Sequence, residues 1–430
     1  MNNLGCPYYL YVLILSILLV AAGCGGESTD GGSGWDFGED ETDCEEDQIY
    51  DPNTSSCVDD ISSPQCDDDE IYDADIGECV PDGGDNDRVG PDDCEDDEVY
   101  DPDTEQCVDA PCGVVTITAR TCKPDGDDLG EVALEIEGQG CDGPFSLSTT
   151  SGDDGELEII DIPHGNYEIT MTKGLFERQF ELHVNALGID TDVDLDELFC
   201  FAGDEVDIAV FEGAYDDAAG LLDSMDVAHD LIARTSSSSE MLTFLEDGEA
   251  LNEYDLIIIE CGVLWNSVLG GSSSGAEPGD AEVVIANLQD FVGSGNHLIT
   301  ADFAYRFFEM PFPEAASFGE DEDSSSPRGS VQSIMAEVVT DALSAFLGES
   351  TIGINYGEAA WYLPVDVGPD SVVHLKGGVE TTDSEILDDM PLLVTHHDPS
   401  GGTATYQSFH SDSADDGESK LMMEFFLFHQ

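Results

Sequence analysis

The chain has 430 residues, of which 97 are acidic and 10 basic, so its formal net charge is -87, yet 40% of the residues are hydrophobic. An ordinary apolar fraction is enough to build cores, so the acid belongs on surfaces and linkers, and a saline habitat that screens it is the simplest explanation. Nucleic acid is excluded as a partner, and so is direct contact of the protein body with anionic lipid, because both need clustered Lys and Arg.

The chain begins with an uncharged apolar run, residues 8–22, which is short for a transmembrane helix and typical of a signal peptide. The order Ala-Ala-Gly-Cys that ends at Cys24 resembles a bacterial lipobox. This resemblance implies cleavage before Cys24 and lipid on its thiol; an uncleaved anchor is the alternative. We therefore predict a signal peptide over residues 1–23, a disordered acidic linker over 24–43, and a protein held by lipid at the cell envelope, on the outer membrane or cell surface.

Three acidic repeats occupy residues 44–110. Each has twelve residues between two cysteines, an Ile/Val-Tyr-Asp centre and Val after the second Cys. Units this small cannot bury enough apolar surface to fold unaided, so we predict one disulfide in each: Cys44–Cys57, Cys66–Cys79 and Cys94–Cys107. The repeats resemble small two-cysteine modules of bacterial surface proteins, a resemblance that implies no activity.

The acidic runs of the repeats raise the question of calcium, which takes about six to eight oxygen ligands. No loop matches the alternating acids, Gly and distal Glu of an EF-hand. A solvated acidic stalk is therefore our main interpretation, and a calcium-binding adhesive stalk is an alternative. We predict no cofactor for the chain, with Ca²⁺ on the stalk as the alternative.

Residues 111–202 change to the alternating pattern of half-buried strands, predicted over 114–118, 132–136, 157–160, 167–171 and 180–184. The segments around Gly155 and Ile162-Pro163-His164-Gly165-Asn166-Tyr167 resemble the carboxypeptidase regulatory-like (transthyretin-like) domain. The resemblance implies a small antiparallel β-sandwich that serves as a spacer and has no catalytic residues.

Four cysteines of this region, Cys112, Cys122, Cys141 and Cys200, allow two disulfides in three connectivities. We prefer a pairing that returns Cys200 to the start of the domain, and leave the alternatives open. Cys6 belongs to the leader and Cys24 is the lipid anchor, which leaves 11 of the 13 cysteines for the rest of the chain. Because that number is odd, at least one thiol should stay unpaired.

Residues 203–430 alternate buried strands with helices. Strands are predicted over 206–211, 254–262, 297–302, 371–375, 391–395 and 403–408, and helices over 218–233, 281–292 and 421–428. Near-continuous apolar strands are expected where both faces of a sheet are covered. The order predicts a doubly wound, mainly parallel α/β sheet of the flavodoxin-like kind.

The segments EYDLIIIECG, LQDFVGSGNHLITAD and GGTATYQSFHSD resemble the class I glutamine amidotransferase-like fold, especially its trehalose-utilisation-type (ThuA-like) relatives. That family has a nucleophilic Cys on the sharp turn after the third strand and His-x-Glu after a late strand. Here Asp302 stands at the Cys position, and His410-Ser411-Asp412 resembles His-x-Glu with Asp for Glu. A carboxylate cannot form the thioester, so this register excludes glutamine hydrolysis.

Each candidate residue also has a structural interpretation. Asp302 can be the N-cap of the segment that follows it, and Cys261 a small buried residue at a strand end. Adjacent His396 and His397 point to opposite faces of a strand and cannot easily hold one ion. Tyr305, Trp361 and Tyr362 either line a pocket or belong to the core, and residues 314–330 are predicted to be a mobile insertion that covers the cleft.

We therefore predict a non-enzymatic surface lipoprotein that presents a degenerate amidotransferase-like domain to a ligand or to an unknown envelope or extracellular partner. The alternative is a hydrolase of unknown substrate in which Asp302, His410 and Asp412 act as acid, base or metal ligands.

Overall fold

The computed structural model describes residues 112–185, 188–190, 198–234, 237–270, 275–319, 327–358, 360–410 and 417–429, and the backbone of six short strands between residues 48 and 109. Cys24, the leader, the linker and Asp412 lie outside the described residues. The chain divides into two compact units, Met1–Asp87 and Arg88–Gln430. Among the described residues, no helix has the length and apolarity needed to cross a membrane.

Each acidic repeat contains one antiparallel hairpin. The Tyr of the first strand lies opposite the second Cys of the repeat in all three, so the sequence repeat is also a structural one. Cys107 is disulfide-bonded. Side chains of the other five repeat cysteines lie outside the described residues, so the three pairings stay predictions. The hairpins are β1 Gln48–Asp51 with β2 Ser56–Asp59, β3 Glu70–Asp73 with β4 Glu78–Pro81, and β5 Glu98–Asp101 with β6 Gln106–Asp109.

The next region is a small antiparallel β-sandwich, as predicted. One sheet pairs β7 with β10; the described part of the other has the order β13-β12-β11-β8-β9. Alternate side chains such as Ile117, Ile136 and Ile169 are buried between the sheets. The strands are β7 Val114–Arg120, β8 Ala133–Gly140, β9 Gly143–Thr150, β10 Glu156–Pro163, β11 Gly165–Lys173, β12 Phe176–Asn185 and β13 Gly188–Asp190.

Disulfides join Cys112 to Cys141 and Cys122 to Cys200. Cys200 thus returns to the segment that follows the first sandwich strand, where it forms a parallel bridge with Cys122. Cys112, at the very start of the domain, forms its disulfide with Cys141 and not with Cys200. Cys261 is the free cysteine among the described residues, and it is buried, in agreement with the odd cysteine count.

The C-terminal region is a doubly wound α/β domain. Its sheet has the order β15-β14-β16-β17-β26-β25-β24-β20-β21 among the described residues, and its first five strands are parallel. Numbered along the chain, those five have the order 2-1-3-4-5, which is the flavodoxin-like arrangement that the sequence predicts. The elements are β14 Ile208–Glu212, α1 Ala218–Asp223, β15 Asp230–Arg234, α2 Ser238–Leu245, α3 Gly248–Leu251, β16 Leu256–Ile259, α4 Trp265–Leu269, α5 Asp280–Gly293, β17 His297–Ala301, α6 Arg306–Glu309, β18 Ala316–Ser317, β19 Arg328–Gly329, β20 Gln332–Val338, α7 Asp341–Leu347, β21 Thr351–Tyr356, β22 Trp361–Tyr362, β23 Asp366–Val367, β24 Ser371–Glu380, β25 Ile386–His397, β26 Thr403–Gln407 and α8 Gly417–Phe428.

Both faces of this sheet are covered. Phe211 and Ile257 point to a core that contains residues of α2, α3 and α5, whereas Val210 and Ile258 point to a core that contains residues of α1 and α8. The predicted helix over 218–233 is wrong in its second half. It ends at Asp223, the chain turns through Asp226 with a positive φ of 54°, and residues 230–234 form the edge strand β15.

The sandwich and the α/β domain share one hydrophobic core. The ring of Phe176 on β12 stacks on that of Phe428 on α8, with centroids 4.7 Å apart. The Leu175 backbone N–H donates to the Leu427 carbonyl at 2.8 Å. Lys123 of the sandwich forms an ion pair with Glu424 of α8 at 3.1 Å. The sandwich is therefore packed against the α/β domain and is more than a tethered spacer.

Candidate functional site

Three residues meet at the carboxyl edge of the parallel sheet. Cys261 follows β16, Asp302 follows β17 and His410 follows β26, and these three strands are neighbours in the sheet. In open α/β sheets, this edge is where ligands bind. We call these three residues the Cys–Asp–His cluster; their candidate ligand atoms all lie within 4.8 Å of one another.

Asp302 is the centre of the cluster. Its side chain is 1% exposed, and its φ of +39° lies in the left-handed region that few non-glycine residues adopt. Oδ1 accepts a hydrogen bond from the Tyr362 backbone N–H at 2.8 Å. Oδ2 lies 3.1 Å from His410 Nε2 and accepts from Cys261 Sγ at 3.4 Å. The chain thus makes the sharp strand-to-helix turn of a nucleophile elbow, with a carboxylate at its tip.

The N-cap interpretation of Asp302 is wrong. A 3₁₀ turn, Asp302–Ala304, begins at this residue and receives no side-chain cap. The carboxylate points back towards the sheet edge, where its partners are the Tyr362 N–H of the short strand β22 and the side chains of Cys261 and His410, which follow β16 and β26. Its role in the structure is to join these segments.

The environment of the cluster keeps the thiol unreactive. Burial raises the pKa of Cys261, and the nearby Asp302 carboxylate raises it further, so the sulfur carries a proton and donates. Burial also raises the pKa of Asp302, while the hydrogen bond from His410 opposes that shift. The arrangement offers an acid–base pair, Asp302 and His410, but no activated nucleophile.

A second buried acid, Glu260, holds the loops beside the cluster. Its two carboxylate oxygens accept from the backbone N–H groups of Gly213 at 2.6 Å and Ala218 at 2.7 Å. A Cβ on Gly213 would lie 2.0 Å from the Cys261 carbonyl oxygen, so only glycine permits this approach. Asp216 accepts from the Cys261 backbone N–H at 2.5 Å. These bonds tie the loop after β14 to the loop after β16.

Glu260 gives the domain a predicted pH dependence. Burial raises its pKa to about 7, whereas an unfolded Glu titrates near about 4.3. Between pH 6.5 and 8 the folded state therefore loses a proton that the unfolded state no longer holds, so the contribution of Glu260 to the free energy of unfolding should fall by about 1 kcal/mol as pH rises. Denaturant titrations at these two pH values measure this change.

The matched control for that pH dependence is Glu260→Gln, which keeps the shape of the side chain and removes its titration. This variant should show no decrease between pH 6.5 and 8. The histidines with lowered pKa, His297, His374, His396 and His429, oppose this change, because near pH 6.5 their unfolded forms still bind more protons than their folded forms. Because the histidines contribute equally to both proteins, wild type should lose about 1 kcal/mol relative to Glu260→Gln between pH 6.5 and 8, and equal changes in the two proteins would contradict the assignment.

The predicted aromatic residues lie beside the cluster. Tyr362 donates its backbone N–H to Asp302 and stacks on Tyr305, with ring centroids 4.3 Å apart. Trp361 is 1% exposed and stacks on Tyr356, so it belongs to the core. Tyr305 and Tyr362 are only partly buried and form one wall above the cluster.

The predicted insertion over 314–330 is paired at both ends. Strand β18 near its start pairs with β23, and strand β19 near its end pairs with β22; both partner strands lie later in the chain. Arg328 of β19 places its guanidinium 5.2 Å from the centre of the Tyr362 ring. Residues 320–326 lie outside the described residues, so the mobility of the insertion stays a prediction.

The three side chains of the cluster are buried. Cys261 is fully buried, and the His410 side chain is 8% exposed. Among the cavities lined by described residues, one touches His410. Its volume is about 20 Å³, which is room for about one water molecule. A substrate would need these groups to separate before it could reach Asp302.

Two residues of the site were not predicted to belong to it. Cys261 was interpreted as purely structural, but it contacts Asp302 directly; its place at the end of the strand next to β17 was the available signal. Tyr215 stacks its half-exposed ring against His410, with centroids 6.1 Å apart. Asp412 lies outside the described residues. His396 is half-buried and His397 exposed, in line with their predicted opposite directions.

No protein-family model and no curated protein sequence matches the chain. Several solved structures are similar to about half of it. A protein assigned to GMP synthase from Thermoplasma acidophilum has 10% identity and a TM-score of 0.33, over 52% of this chain and 92% of that one. A glutamine amidotransferase from Thermotoga maritima has 8% identity and a TM-score of 0.30, over 51% and 82%. The glutaminase domain of a Trypanosoma brucei CTPS with bound acivicin has 11% identity and a TM-score of 0.31, over 51% and 91%. With scores this low, the fold assignment rests on the strand order and not on these structures.

Proposed function

We propose that this protein is an exported, lipid-anchored binding protein whose α/β domain keeps an amidotransferase-like architecture without amidotransferase catalysis. The acidic repeats act as a stalk, and the sandwich and the α/β domain, which share one core, act together as the head. The ligand or partner is a component of the envelope or its surroundings. Lipid on Cys24 is the attachment, as the lipobox resemblance implies.

The observation that carries the proposal is the state of Asp302. Glutamine hydrolysis needs a nucleophile that can form a thioester and a base beside it. At the elbow there is instead a carboxylate, 1% exposed and held by Tyr362, Cys261 and His410. The one thiol nearby has a raised pKa and donates to that carboxylate. A carboxylate held in this way can stabilise the domain, but it is not the nucleophile that acyl transfer through a thioester needs.

The second candidate is a hydrolase that uses the Asp302–His410 pair as acid and base. The 3.1 Å contact between Oδ2 and Nε2 favours it, because such a pair can move a proton. It requires an opening of the cluster on substrate binding.

One experiment on material extracted from membranes tests the proposal in two parts. Mass spectrometry should find a mature N-terminus at Cys24 that carries acyl chains, and the same sample should not hydrolyse glutamine or activated esters above the buffer rate. An unprocessed Met1 terminus would refute the anchor. Robust turnover that His410→Gln abolishes would refute the non-catalytic head and favour the hydrolase.

A further inference from the structure

We propose that the Cys–Asp–His cluster is a binding site for one transition-metal ion, with Zn²⁺ as the best fit. The ligands would be Cys261 Sγ, Asp302 Oδ2 and His410 Nε2. This site is independent of the proposed function, because a structural metal is compatible with a non-catalytic head and its absence would leave that proposal unchanged.

The distances between the three atoms fit a tetrahedral ion. Zinc bonds of about 2.0 Å to oxygen, about 2.0 Å to nitrogen and about 2.3 Å to sulfur give ligand–ligand edges of roughly 3.3 to 3.5 Å. Oδ2 lies 3.4 Å from Sγ and 3.1 Å from Nε2, and all three atoms lie within 4.8 Å of one another. Small side-chain movements would close this triangle around an ion.

The types of ligand atom select the metal. A thiolate and an imidazole favour Zn²⁺ and its neighbours, whereas Ca²⁺ and Mg²⁺ prefer sites built from oxygen alone. The many surface carboxylates of this chain are therefore poor competitors for a thiophilic ion. The acidic repeats and the cluster would bind different classes of cation.

The residues around the cluster orient the ligands. The Tyr362 N–H holds Oδ1, which leaves Oδ2 turned towards Cys261 and His410. The Phe303 backbone N–H hydrogen-bonds to the Cys261 sulfur and would remain available to a thiolate. The Tyr215 ring lies against the imidazole of His410. Outer contacts of this kind are the usual way in which proteins fix the direction of metal ligands.

Metal binding must release protons from the cluster. Cys261 would exchange its S–H bond for an S–metal bond, and the proton would pass to solvent. The proton between His410 Nε2 and Asp302 Oδ2 would also leave, to Nδ1 of the same ring or to solvent, so that both atoms can bind the metal. The contacts of Oδ2 with the thiol and the imidazole would be replaced by a bond from each ligand to the metal. Three protein ligands leave one position of the tetrahedron for water.

Cobalt reports directly on this site, because tetrahedral Co²⁺ absorbs visible light and a thiolate ligand adds a charge-transfer band in the near ultraviolet. The mature full-length protein, stripped with chelator, is titrated with Co²⁺ in millimolar Ca²⁺ and Mg²⁺, which occupy the carboxylates. We expect one equivalent of Co²⁺ to produce the thiolate band, and one equivalent of Zn²⁺ to remove it. Cys261→Ser should abolish the band, and His410→Gln should weaken Co²⁺ binding by at least about 100-fold.

His396→Gln is the matched control, since it removes a half-buried imidazole outside the cluster and should leave the titration unchanged. Circular dichroism of each variant shows whether it is folded. The wild-type titration decides the question even if a variant unfolds. Co²⁺ binding without the thiolate band, or no binding, in folded wild-type protein overturns the proposal and leaves the cluster as a network of hydrogen bonds.

Discussion

Asp302→Ala should lower the free energy of unfolding by about 3–5 kcal/mol, which is the usual cost of removing one partner from a buried polar pair. The substitution leaves the Tyr362 N–H without its acceptor and leaves His410 and Cys261 facing an empty space. Ala at a φ of +39° adds about 1 kcal/mol of backbone strain. Denaturant unfolding followed by tryptophan fluorescence measures the loss, because Trp265 and Trp361 both lie in the α/β domain.

Asp226→Ala separates the two contributions. Asp226 also has a positive φ, 54°, but its side chain is exposed. Its replacement should therefore cost only the backbone part, about 1 kcal/mol. If Asp302→Ala proves no more costly than Asp226→Ala, the carboxylate does not hold the three segments together.

Phe176→Ala should destabilise the sandwich and the α/β domain together, by about 3–5 kcal/mol. Phe176 is fully buried in the shared core and contacts Phe201 and Phe428. The sandwich contains no tryptophan, so fluorescence reports on the α/β domain alone. A lower unfolding midpoint in that signal would mean that a change in one domain is felt in the other.

Phe145→Ala is the control within the sandwich. Phe145 lies on β9, is only partly buried and contacts Tyr167. Because Phe145 buries less apolar surface than Phe176, its replacement should lower the tryptophan midpoint by clearly less than Phe176→Ala does. The third tryptophan, Trp35, belongs to the predicted linker and can be replaced by Phe to remove its signal. Equal midpoints for wild type and Phe176→Ala would show that the two domains unfold independently.

The sequence predicts the core strands well and the periphery less well. Strands such as β14, β16 and β17 are near-continuous apolar runs, as expected in the interior of a parallel sheet. By contrast, residues 230–234 continue a helical spacing, and only their pairing with β14 makes them a strand. The antiparallel extension formed by β20 and β21 was also missed, because its strands have little of the apolar character of the central ones.

The residues of the site also differ in how well the sequence predicts them. Asp302 and His410 could be located because each follows a recognisable strand of a known order, and the structure brings them into contact. Cys261 also follows a recognisable strand, but its contact with Asp302 depends on β16 and β17 being neighbours in the sheet, which the sequence pattern alone does not fix. The shared core was missed for a similar reason. Phe176 and Phe428 are 252 positions apart in the sequence, and no local pattern relates them.

The conformational preference of Asp explains why this residue can occupy the turn at position 302. Asp is one of the few non-glycine residues that tolerate positive φ, so it can occupy a turn built for a nucleophile at modest cost. Once there, its carboxylate gains three contacts that a thiol could not reproduce. In the proposed non-catalytic head, the geometry of the turn serves to place this carboxylate between its partners.

The most direct test of the non-catalytic head compares glutamine hydrolysis by wild type and by Asp302→Asn. Asn tolerates positive φ and still accepts from the Tyr362 N–H, so the variant should stay folded. We predict the same rate for both proteins, equal to that of buffer. Glutamine turnover in the wild type that falls in folded Asp302→Asn would contradict the account.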